Sequence, residues 1–280
     1  MAKRLKISIV IPVHNQFNLL DQCLTSLSKS FNHSKFNIEV ILSDSNSDKF
    51  LSDYYHLIHL NSDLKNLNIK IIRDEKNPGF SRAVNNGMKL ADPDSDYYIW
   101  LNSDTIVIKD WLKPLLTNEY DLCSPISNNA TYQSMLLIDQ NNLQTVQDFI
   151  IDNSSTLQKK NPKVDFLNGF CYIISNNTFK TVGYLDEIHF PHYGSEDDYS
   201  LRAKIKGLQA VILCNSFVYH LGNQSYNSKS GSVIRKCDQI FLSRYPKNWF
   251  DNLILVHTLR TRNLRQQLVE EFIDYVKKES

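Results

Sequence analysis

Long apolar runs and net charge are both missing from this sequence. No stretch approaches the roughly 20 apolar residues that a membrane-spanning helix needs. The formal net charge is only +1, from 31 basic and 30 acidic residues, which argues against a global electrostatic attraction to nucleic acid or to an anionic membrane. Any anionic ligand must therefore be held by a local site.

Cysteine is also scarce. The five cysteines are odd in number, widely spaced and free of any C-x-x-C pair, which argues against a disulfide framework and against a zinc cluster. The amino-terminal segment MAKRLKISIVIPVHN is basic and then apolar, but its apolar part is short, lacks a small-residue cleavage site and alternates as a strand does. We therefore expect a cytoplasmic protein, with a peripheral position at the inner face of the membrane left open.

The sequence does contain a regular alternation of strand-like and helix-like segments. Apolar, β-branched runs predict strands at 7–13, 38–42, 69–72 and 97–101, and helical spacing of apolar residues predicts helices at 16–29, 50–60 and 81–90. Strands separated by helices indicate βαβ units. The Asn-, Gln- and Ser-rich region 122–164 is predicted to be a partly looped insertion, and 237–280 to form two or three helices.

Polar residues follow each of the four predicted strands. They are the segments 14–15, 43–46, 73–75 and 102–104. Open parallel sheets bind ligands beyond the carboxyl ends of their strands. One edge of the sheet therefore collects acids and amides, and a binding site is expected there.

The segment Asn102-Ser103-Asp104 ends the fourth predicted strand. Its first and last residues place two oxygen ligands at i and i+2, a spacing that can direct both at one hard cation. The alternative is a turn that begins with Asn102 and caps a helix over 105–112, since turns favour these residues. The position after the strand favours the cation site.

The segment 77–87, NPGFSRAVNNG, opens a predicted helix with a glycine, a serine and an arginine. A helix N-terminus with free N–H groups is suited to anions, and Arg82 could add a guanidinium. The alternative is that Ser81 caps the helix while Arg82 is solvated. These residues alone do not choose between the two.

Three acids, Glu196, Asp197 and Asp198, stand at the start of another predicted helix. The helix dipole favours acids there, so a structural role is one interpretation. Three successive carboxylates exceed what capping needs, and one of them could act as a general base. His220, which follows the apolar segment 217–219, gains value as a ligand only if a metal site exists.

Six ordered motifs suggest a family. They are IVIPVHN (9–15), ILSDSNSD (41–48), NPGFSRAVNNG (77–87), YIWLNSDT (98–105), VGYLDE (182–187) and GSEDDYSLRAKIKG (194–207). Over roughly residues 5–225 the chain resembles the family 2 glycosyltransferases with a GT-A fold. Within them it looks like the rhamnosyltransferase-type subgroup that builds bacterial surface polysaccharides.

The resemblance implies an α/β fold of GT-A type, with a Rossmann-like, mostly parallel central sheet flanked by helices. It assigns 1–230 to the glycosyltransferase domain, with 1–125 as the nucleotide-sugar-binding half and 126–230 as the acceptor and catalytic half. Residues 231–280 then form a C-terminal helical extension. Its apolar stripe at helical spacing favours packing on its own domain, while a homodimer contact and a peripheral membrane contact stay open.

The same resemblance implies a reaction. A sugar would move, with inversion, from a dTDP- or UDP-linked donor to a hydroxyl of a glycan or lipid-linked acceptor, with Mn²⁺ or Mg²⁺ on the diphosphate. The implied donor site comprises Pro12, His14, Asn15, Asp44, Asn77, Gly79, Arg82, Asn85, Asn102, Ser103 and Asp104. The implied metal ligands are Asp104, Asn102 and His220, and no nucleic-acid partner is expected.

The chain departs from the family pattern at two places. Asn102 stands where the family's D-x-D motif has its first acid, which leaves Asp104 as the main ligand. The acidic motif allows two registers for the base: counting back from Arg202 gives Glu196, and counting forward from Gly194 gives Asp197, which we favour slightly because it completes the family's Glu-Asp pair.

Two other functions stay open at this point. A catalytically silent GT-A module that binds nucleotide or glycan within an assembly is kept open by Asn102. A sugar nucleotidyltransferase would share the sheet topology, but the glycine-rich, basic loop expected of such an enzyme is missing after Ile11.

Overall fold

The computed structural model describes residues 4–32, 34–48, 64, 67–76, 79–130, 133–136, 140–222 and 239–279. The predicted helix at 50–60 and the candidate site residue Asn77 lie outside the described residues. Side chains at 249, 250, 260 and 279 are outside them as well.

A mixed sheet of nine described strands forms the centre of the fold. The strands are β1 (Leu5–Val13), β2 (Phe36–Ser45), β3 (Asn68–Asp74), β4 (Tyr97–Leu101), β5 (Thr105–Val107), β6 (Leu122–Ile126), β7 (Lys163–Val164), β8 (Cys171–Ser175) and β9 (Ala210–His220). Their order is β3-β2-β1-β4-β8-β6-β9-β5, and β7 also pairs with β9. The pairs among β1 to β4 are parallel, as is β6 with β9, whereas β8 is antiparallel to both of its neighbours.

Helices cover this sheet, so the predicted α/β architecture is confirmed. They are α1 (Phe17–Lys29), α2 (Phe80–Leu90), α3 (Leu143–Asp152), α4 (Ser154–Gln158), α5 (Asn176–Val182), α6 (Ser195–Ile205) and α7 (Lys247–Glu279), with 3₁₀ turns at Lys113–Leu116 and Gln140–Asn142. Residues 239–244 are also helical. Helix α1 buries Leu20, Cys23, Leu24 and Leu27, the apolar face that its spacing predicts.

The first four strands lie where the periodicity predicts them, and two later segments differ. A strand, β5, replaces the helix considered at 105–112; its Thr-Ile-Val sequence suits a strand, and it pairs antiparallel with β9. The region 122–164 is more regular than predicted, since it holds β6, α3, α4 and β7. Strand β9 runs unbroken through the buried polar residues Asn215 and Ser216, which interrupt its apolar pattern.

The C-terminal helix α7 packs on the domain. Leu264 and Leu268 are buried in the main core, and Phe272 meets the Phe149 ring edge-on at 5.4 Å. Lys160 forms an ion pair with Glu271. Burying a leucine side chain contributes about 1.5–3 kcal/mol, so these contacts hold α7 against α3.

None of the helices in the described part of the chain is long and apolar enough to cross a membrane. The four described cysteines, Cys23, Cys123, Cys171 and Cys214, are buried free thiols.

Candidate active site

A cleft of about 470 Å³ lies at the carboxyl ends of β1, β2 and β4. Its lining comprises Pro12, Val13, His14, Ser45, Gly79, Phe80, Ala83, Asn102, Ser103, Asp104, Asn129, Ala130, Asn168, Gly169, Phe170, His192, Tyr193, Glu196, His220 and Gly222. A larger, more open cavity of about 1020 Å³ lies at the opposite edge of the sheet, around residues 93–97 and 115–121. It contains none of the predicted site residues, and the carboxyl edge is where open sheets of this kind bind ligands.

Sheet pairing brings Asp104 and His220 together. Asp104 lies in the turn between β4 and β5, and His220 is the last residue of β9, paired in register with Thr105. The backbone N–H of Leu221 also donates to the Asp104 carbonyl at 3.0 Å. As a result, His220 Nε2 lies 3.4 Å from Asp104 Oδ1 inside the cleft.

Several contacts fix the His220 ring. Its Nδ1 lies 2.7 Å from the Asn129 carbonyl oxygen, so Nδ1 carries the proton in this bond and Nε2 faces Asp104. The ring stacks on Phe170 with centroids 5.3 Å apart. Burial lowers the pKa of His220, but the Asp104 carboxylate and the Asn129 carbonyl outweigh it, and the net shift is upward.

Asn128 secures the backbone of the same histidine. The His220 N–H donates to Asn128 Oδ1 at 2.8 Å, and Asn128 Nδ2 donates to the His220 carbonyl at 3.1 Å. Gly222 has a φ of +70°, and a Cβ built there would lie 2.0 Å from the Asn129 side chain. The turn after β9 therefore fits closely against residues 128–129.

Asp104 and His220 form a donor set that fits a divalent cation with open positions. Among the described residues, no group of three or more His, Cys, Asp or Glu side chains could hold a metal ion. Mg²⁺ sites in proteins often use one or two carboxylates and leave the remaining positions to substrate phosphates and water. The residues present therefore fit a cation completed by a diphosphate, with Asn102 in the lining beside them.

Glu196 faces the cleft from the first turn of α6. A Cβ built on Gly169 would lie 3.3 Å from the Glu196 carboxyl carbon, so glycine leaves room for the carboxylate there. Ser195 Oγ donates to Glu196 Oε2 at 3.3 Å. Burial raises the pKa of Glu196, which favours the proton-accepting strength that a general base needs.

Asp197 lies next to Glu196 but does not line the cleft. Successive helical residues point about 100° apart, which turns its side chain away. Its Oδ1 is buried and has no hydrogen-bond partner among the described residues. Burial and the neighbouring carboxylates of Glu196 and Asp198 raise the pKa of Asp197 well above its usual range. Of the two candidate bases, only Glu196 is in the described lining.

The end of β1 forms another wall of the cleft. Pro12, Val13 and His14 line it, and His14 Nδ1 lies 2.8 Å from the Ser45 carbonyl oxygen. Asn15, in contrast, turns away from the lining: at a φ of 56° its Oδ1 accepts the Asp48 N–H at 2.9 Å. Asn15 thereby holds the loop after β2.

Asp44 lies behind the same wall and is buried. Its Oδ1 accepts from the N–H and hydroxyl of Ser47 at 3.0 and 2.6 Å, and its Oδ2 accepts from Arg73 Nη1 at 2.5 Å. Both carboxylate oxygens are therefore engaged by the protein. The structure places Asp44 in the support of the loop after β2, outside the lining predicted for it.

The N-terminus of α2 is occupied by protein. The Ser81 N–H donates to the Pro191 carbonyl at 3.1 Å, and Ser81 Oγ donates to the Phe190 carbonyl. Gly79, with a φ of +94°, stands at the N-cap position, where a Cβ would lie 2.5 Å from the Pro191 oxygen. Instead of Ser81 capping the helix or leaving its N–H for an anion, this end of α2 receives the loop around Pro191.

Arg82 and Asn85 are also directed away from the cleft lining. Arg82 Nε pairs with Asp74 Oδ2 at 3.1 Å, with 46% of its side chain exposed. Asn85 is buried and donates to the Leu185 carbonyl at 2.9 Å and to Glu187 Oε2 at 2.7 Å. The described residues of this motif, 79–87, therefore fasten α2 to the segment 185–191.

Several lining residues were not named individually as site residues from the sequence, although Ser45 lies in the polar segment 43–46 expected at this edge. They are Val13, Ser45, Phe80, Ala83, Asn129, Ala130, Asn168, Gly169, Phe170, His192, Tyr193 and Gly222. Eight of these twelve come from residues 129–222, which lie beyond the four strands that the sequence predicts. His192 and Tyr193 do have a local signal, since they come just before the acidic motif at 196–198.

Comparison with known proteins identifies the class. The model of glycosyl transferase family 2 matches residues 8–182, more than half of the chain, and the chain belongs to this family. Among curated proteins, none matches the sequence significantly.

Solved structures with the same fold carry low sequence identity. GalNAc-T7 with UDP, GalNAc and Mn²⁺ has a TM-score of 0.65 at 16% identity, over 85% of this chain and 48% of that one. TarS 1-349 from S. aureus with UDP-GlcNAc has 0.58 at 17%, over 85% and 67%. The mannosyltransferase PcManGT from Pyrobaculum calidifontis with GDP-Man and Mn²⁺ has 0.61 at 13%, over 99% and 75%.

These likenesses confirm the predicted GT-A fold. The chain spans about half of the GalNAc-T7 chain and about two thirds of TarS 1-349. The rhamnosyltransferase-like subgroup stays a prediction.

Proposed function

We propose that the protein is a metal-dependent, inverting glycosyltransferase that moves a sugar from a nucleotide-diphosphate donor to a hydroxyl of a glycan or lipid-linked acceptor. The carrying observation is one cleft that presents Asp104 and His220 together and Glu196 across the same lining. Membership in glycosyl transferase family 2 supports the transfer chemistry. The presence of UDP, UDP-GlcNAc, GDP-Man and Mn²⁺ in complexes of similar folds supports the donor class and the metal.

The residues of the cleft have separate tasks in this reaction. Pro12 and His14 flank the nucleoside, while Asp104 and His220 hold Mn²⁺ or Mg²⁺, with Asn102 beside them. A divalent ion bound there supplies positive charge for the leaving diphosphate. In this proposal the metal ligands Asp104 and His220 do not act as nucleophiles. The acceptor hydroxyl itself attacks the anomeric carbon.

Glu196 accepts the proton of that hydroxyl. Attack on the face opposite the leaving diphosphate inverts the anomeric centre, as the single displacement of inverting glycosidases does. A carboxylate with a raised pKa is a stronger base than an ordinary glutamate. We assign Glu196 as the base on the strength of its place in the lining.

The biological setting follows from the resemblance of the motifs. A dTDP- or UDP-linked sugar and a role in bacterial surface polysaccharide synthesis at the cytoplasmic side of the membrane complete the proposal. The resemblance of the motifs to the rhamnosyltransferase-type subgroup supports a hexosyl or deoxyhexosyl donor.

A screen of nucleotide sugars with and without Mn²⁺ tests the proposal. A ligand that binds the native protein stabilises it by about 2.7 kcal/mol at a hundred times its Kd, which a thermal shift detects. We expect one donor to stabilise the protein only with Mn²⁺, followed by turnover of that donor with a glycan acceptor. Asp104→Ala should abolish the metal dependence, whereas the matched control Asp94→Ala, an exposed acid at the opposite edge of the sheet, should keep it.

A silent GT-A module is the second candidate, and Asn102 is the observation that favours it. An amide in place of the first acid of D-x-D lowers the negative charge available to a metal. Binding of a nucleotide diphosphate without turnover of any donor in the panel would support this function and contradict the first.

A further inference from the structure

One segment supplies three cleft-lining residues. Residues 187–197 join the turn after α5 to the start of α6, and they carry His192, Tyr193 and Glu196. An acid flanks each end of this segment, Asp186 before it and Asp198 after it. The position of Glu196 therefore depends on how both ends are held.

A single guanidinium from the C-terminal part of the chain holds both acids. Arg244 Nη2 donates to Asp186 Oδ2 at 2.7 Å, and Arg244 Nη1 donates to Asp198 Oδ1 at 3.0 Å. The guanidinium carbon lies 5.2 Å from the centroid of Phe190, which belongs to the same segment. The planar fork of arginine suits two acceptors at once, which a lysine ammonium cannot match in geometry.

Asp198 is fully buried and needs these partners. Its side chain is 0% exposed, Arg202 Nε donates to it at 2.7 Å, and Tyr245 Oη donates to it at 3.1 Å. Removing one partner of a buried charge leaves it poorly compensated, which strongly disturbs the surrounding structure. Asp198 lies two residues after Glu196 in α6, so such a disturbance acts directly on the helix turn that carries Glu196.

Phe241 adds an apolar contact at the N-terminus of α6. Gly194 stands at the N-cap position with a φ of +79°, and a Cβ there would lie 2.8 Å from Phe241 Cε2. Phe241 also packs on Phe190, with ring centroids 4.7 Å apart. The segment 187–197 is therefore in contact with the C-terminal part of the chain at an acid before it, an acid after it, and two positions within it.

We propose that Phe241, Arg244 and Tyr245, here called the C-terminal clip, position Glu196 for proton transfer by fixing both ends of the segment 187–197. This inference rests on the proposed function, in which Glu196 is the base. The clip residues are positioning residues, since none of them is in the described lining of the cleft. The family match ends at residue 182, so the clip and the segment that it holds both lie beyond the matched region.

The experiment compares Arg244→Met with Arg262→Met in the full-length chain. Both changes remove one positive charge from the C-terminal part, and Arg262 is exposed on α7. Misplacement of a reacting group by about 1 Å can cost about 100-fold in rate. We expect Arg244→Met to lower kcat about 10- to 100-fold, with kcat calculated from the concentration of sites that bind nucleotide. The Kd for the nucleotide diphosphate with Mn²⁺, set by the other wall of the cleft, should stay within about twofold, and Arg262→Met should match the wild type in both.

The proposal would be overturned if Arg244→Met kept the wild-type kcat, calculated from the concentration of sites that bind nucleotide. An equal loss of kcat and of nucleotide affinity would also overturn it, because that result is a general structural defect. If Arg244→Met does not fold, Tyr245→Phe and Asp186→Asn each weaken only one contact between the clip and the acids that it holds. Both should then give a smaller loss of kcat with unchanged nucleotide affinity, and unchanged kcat in both variants would reject the clip.

Hydrogen exchange separates this proposal from the proposed function. Amides within 187–197 should exchange faster in Arg244→Met than in Arg262→Met, whether or not any donor is turned over. A wild-type protein that turns over no donor, with this change in exchange, would reject the proposed function and leave the clip as a structural device. Unchanged exchange in 187–197 would reject the clip irrespective of the reaction.

Discussion

The two halves of the sheet contribute to the cleft in different ways. The parallel half, β1 to β4, supplies a wall whose charged groups are mostly satisfied within the protein, as the Asp44–Arg73 pair illustrates. The other half supplies His220 at the end of β9, helix α6 supplies Glu196, and Asp104 lies in the turn between β4 and β5, where the halves meet. The proposed binding surface and the proposed reacting groups therefore come from different parts of the molecule, and each can be altered while the other is measured.

The largest expected effect separates the reacting groups from the binding wall. Glu196→Gln removes the proton acceptor while keeping nearly the same shape, and general base catalysis contributes about 10²- to 10⁴-fold. We expect kcat to fall by that factor while the Kd for the nucleotide diphosphate stays unchanged by calorimetry. Asp197→Asn is the matched comparison, and a larger loss in this variant than in Glu196→Gln would move the base to Asp197.

The next largest expected effect concerns how the second half of the sheet supports His220, the proposed metal ligand. Asn128→Ala removes both bonds to the His220 backbone without touching the cleft lining. Residues that orient a metal ligand are typically worth about 10- to 100-fold in metal affinity. We expect that loss in Mn²⁺ affinity, measured by electron paramagnetic resonance with nucleotide present, and none in Asn118→Ala, a partly exposed amide near the opposite edge of the sheet.

The pH dependence tests the burial of Glu196. Because burial raises the pKa of Glu196, the carboxylate takes up its proton at a higher pH than an exposed glutamate. Below that raised pKa, kcat/KM should fall about tenfold per pH unit as the base is lost. The same shift makes the free energy of unfolding decrease as pH rises from the ordinary pKa of a glutamate to the raised pKa of Glu196. In that range the folded state binds more protons than the unfolded state.

Two measurements check the direction of these pH effects on kcat/KM and on stability. A rate profile of the wild type at saturating Mn²⁺ should show the acid limb, and unfolding curves of Glu196→Gln should lack the corresponding loss of stability. An acid limb at the ordinary glutamate pKa would contradict the upward shift expected for the pKa of Glu196.

The smallest effect sharpens the comparison on the parallel half. Arg82 forms a half-exposed ion pair with Asp74, and such pairs contribute about 0–1 kcal/mol to stability. We expect Arg82→Ala to change the nucleotide Kd less than about twofold and the unfolding free energy by less than about 1 kcal/mol. A tenfold weaker Kd would instead place Arg82 on the donor, as the sequence motif implies.

The parallel half was largely predictable because its signals are local. The runs that become β1 and β4 are continuous and apolar, and Asp104 follows its strand directly. The pairing of β5 with β9 could not be predicted, because its residues are distant in sequence and Asn215 and Ser216 break the apolar pattern of β9.

The sequence also could not predict which side chains point into the cleft and which point into the protein. Asn85 and Asp44 carry site-like chemistry in a site-like motif, yet their oxygens and amide bind protein groups that only tertiary contact supplies. The choice between Glu196 and Asp197 depends on the rotation of α6, which the motif alone leaves open.

The pairing of Thr105 with His220 has a consequence for biogenesis. Strand β9 is the last described strand in the chain, and contacts between residues so distant in sequence form slowly because a long loop must close first. A chain emerging from the ribosome presents β1 to β4 long before the strand that brings His220 to Asp104 has been synthesised. Under the proposed function, the pair of Asp104 and His220 becomes available to a metal ion only after β9 has paired with β5, so the proposed metal site is among the last parts of the cleft to form.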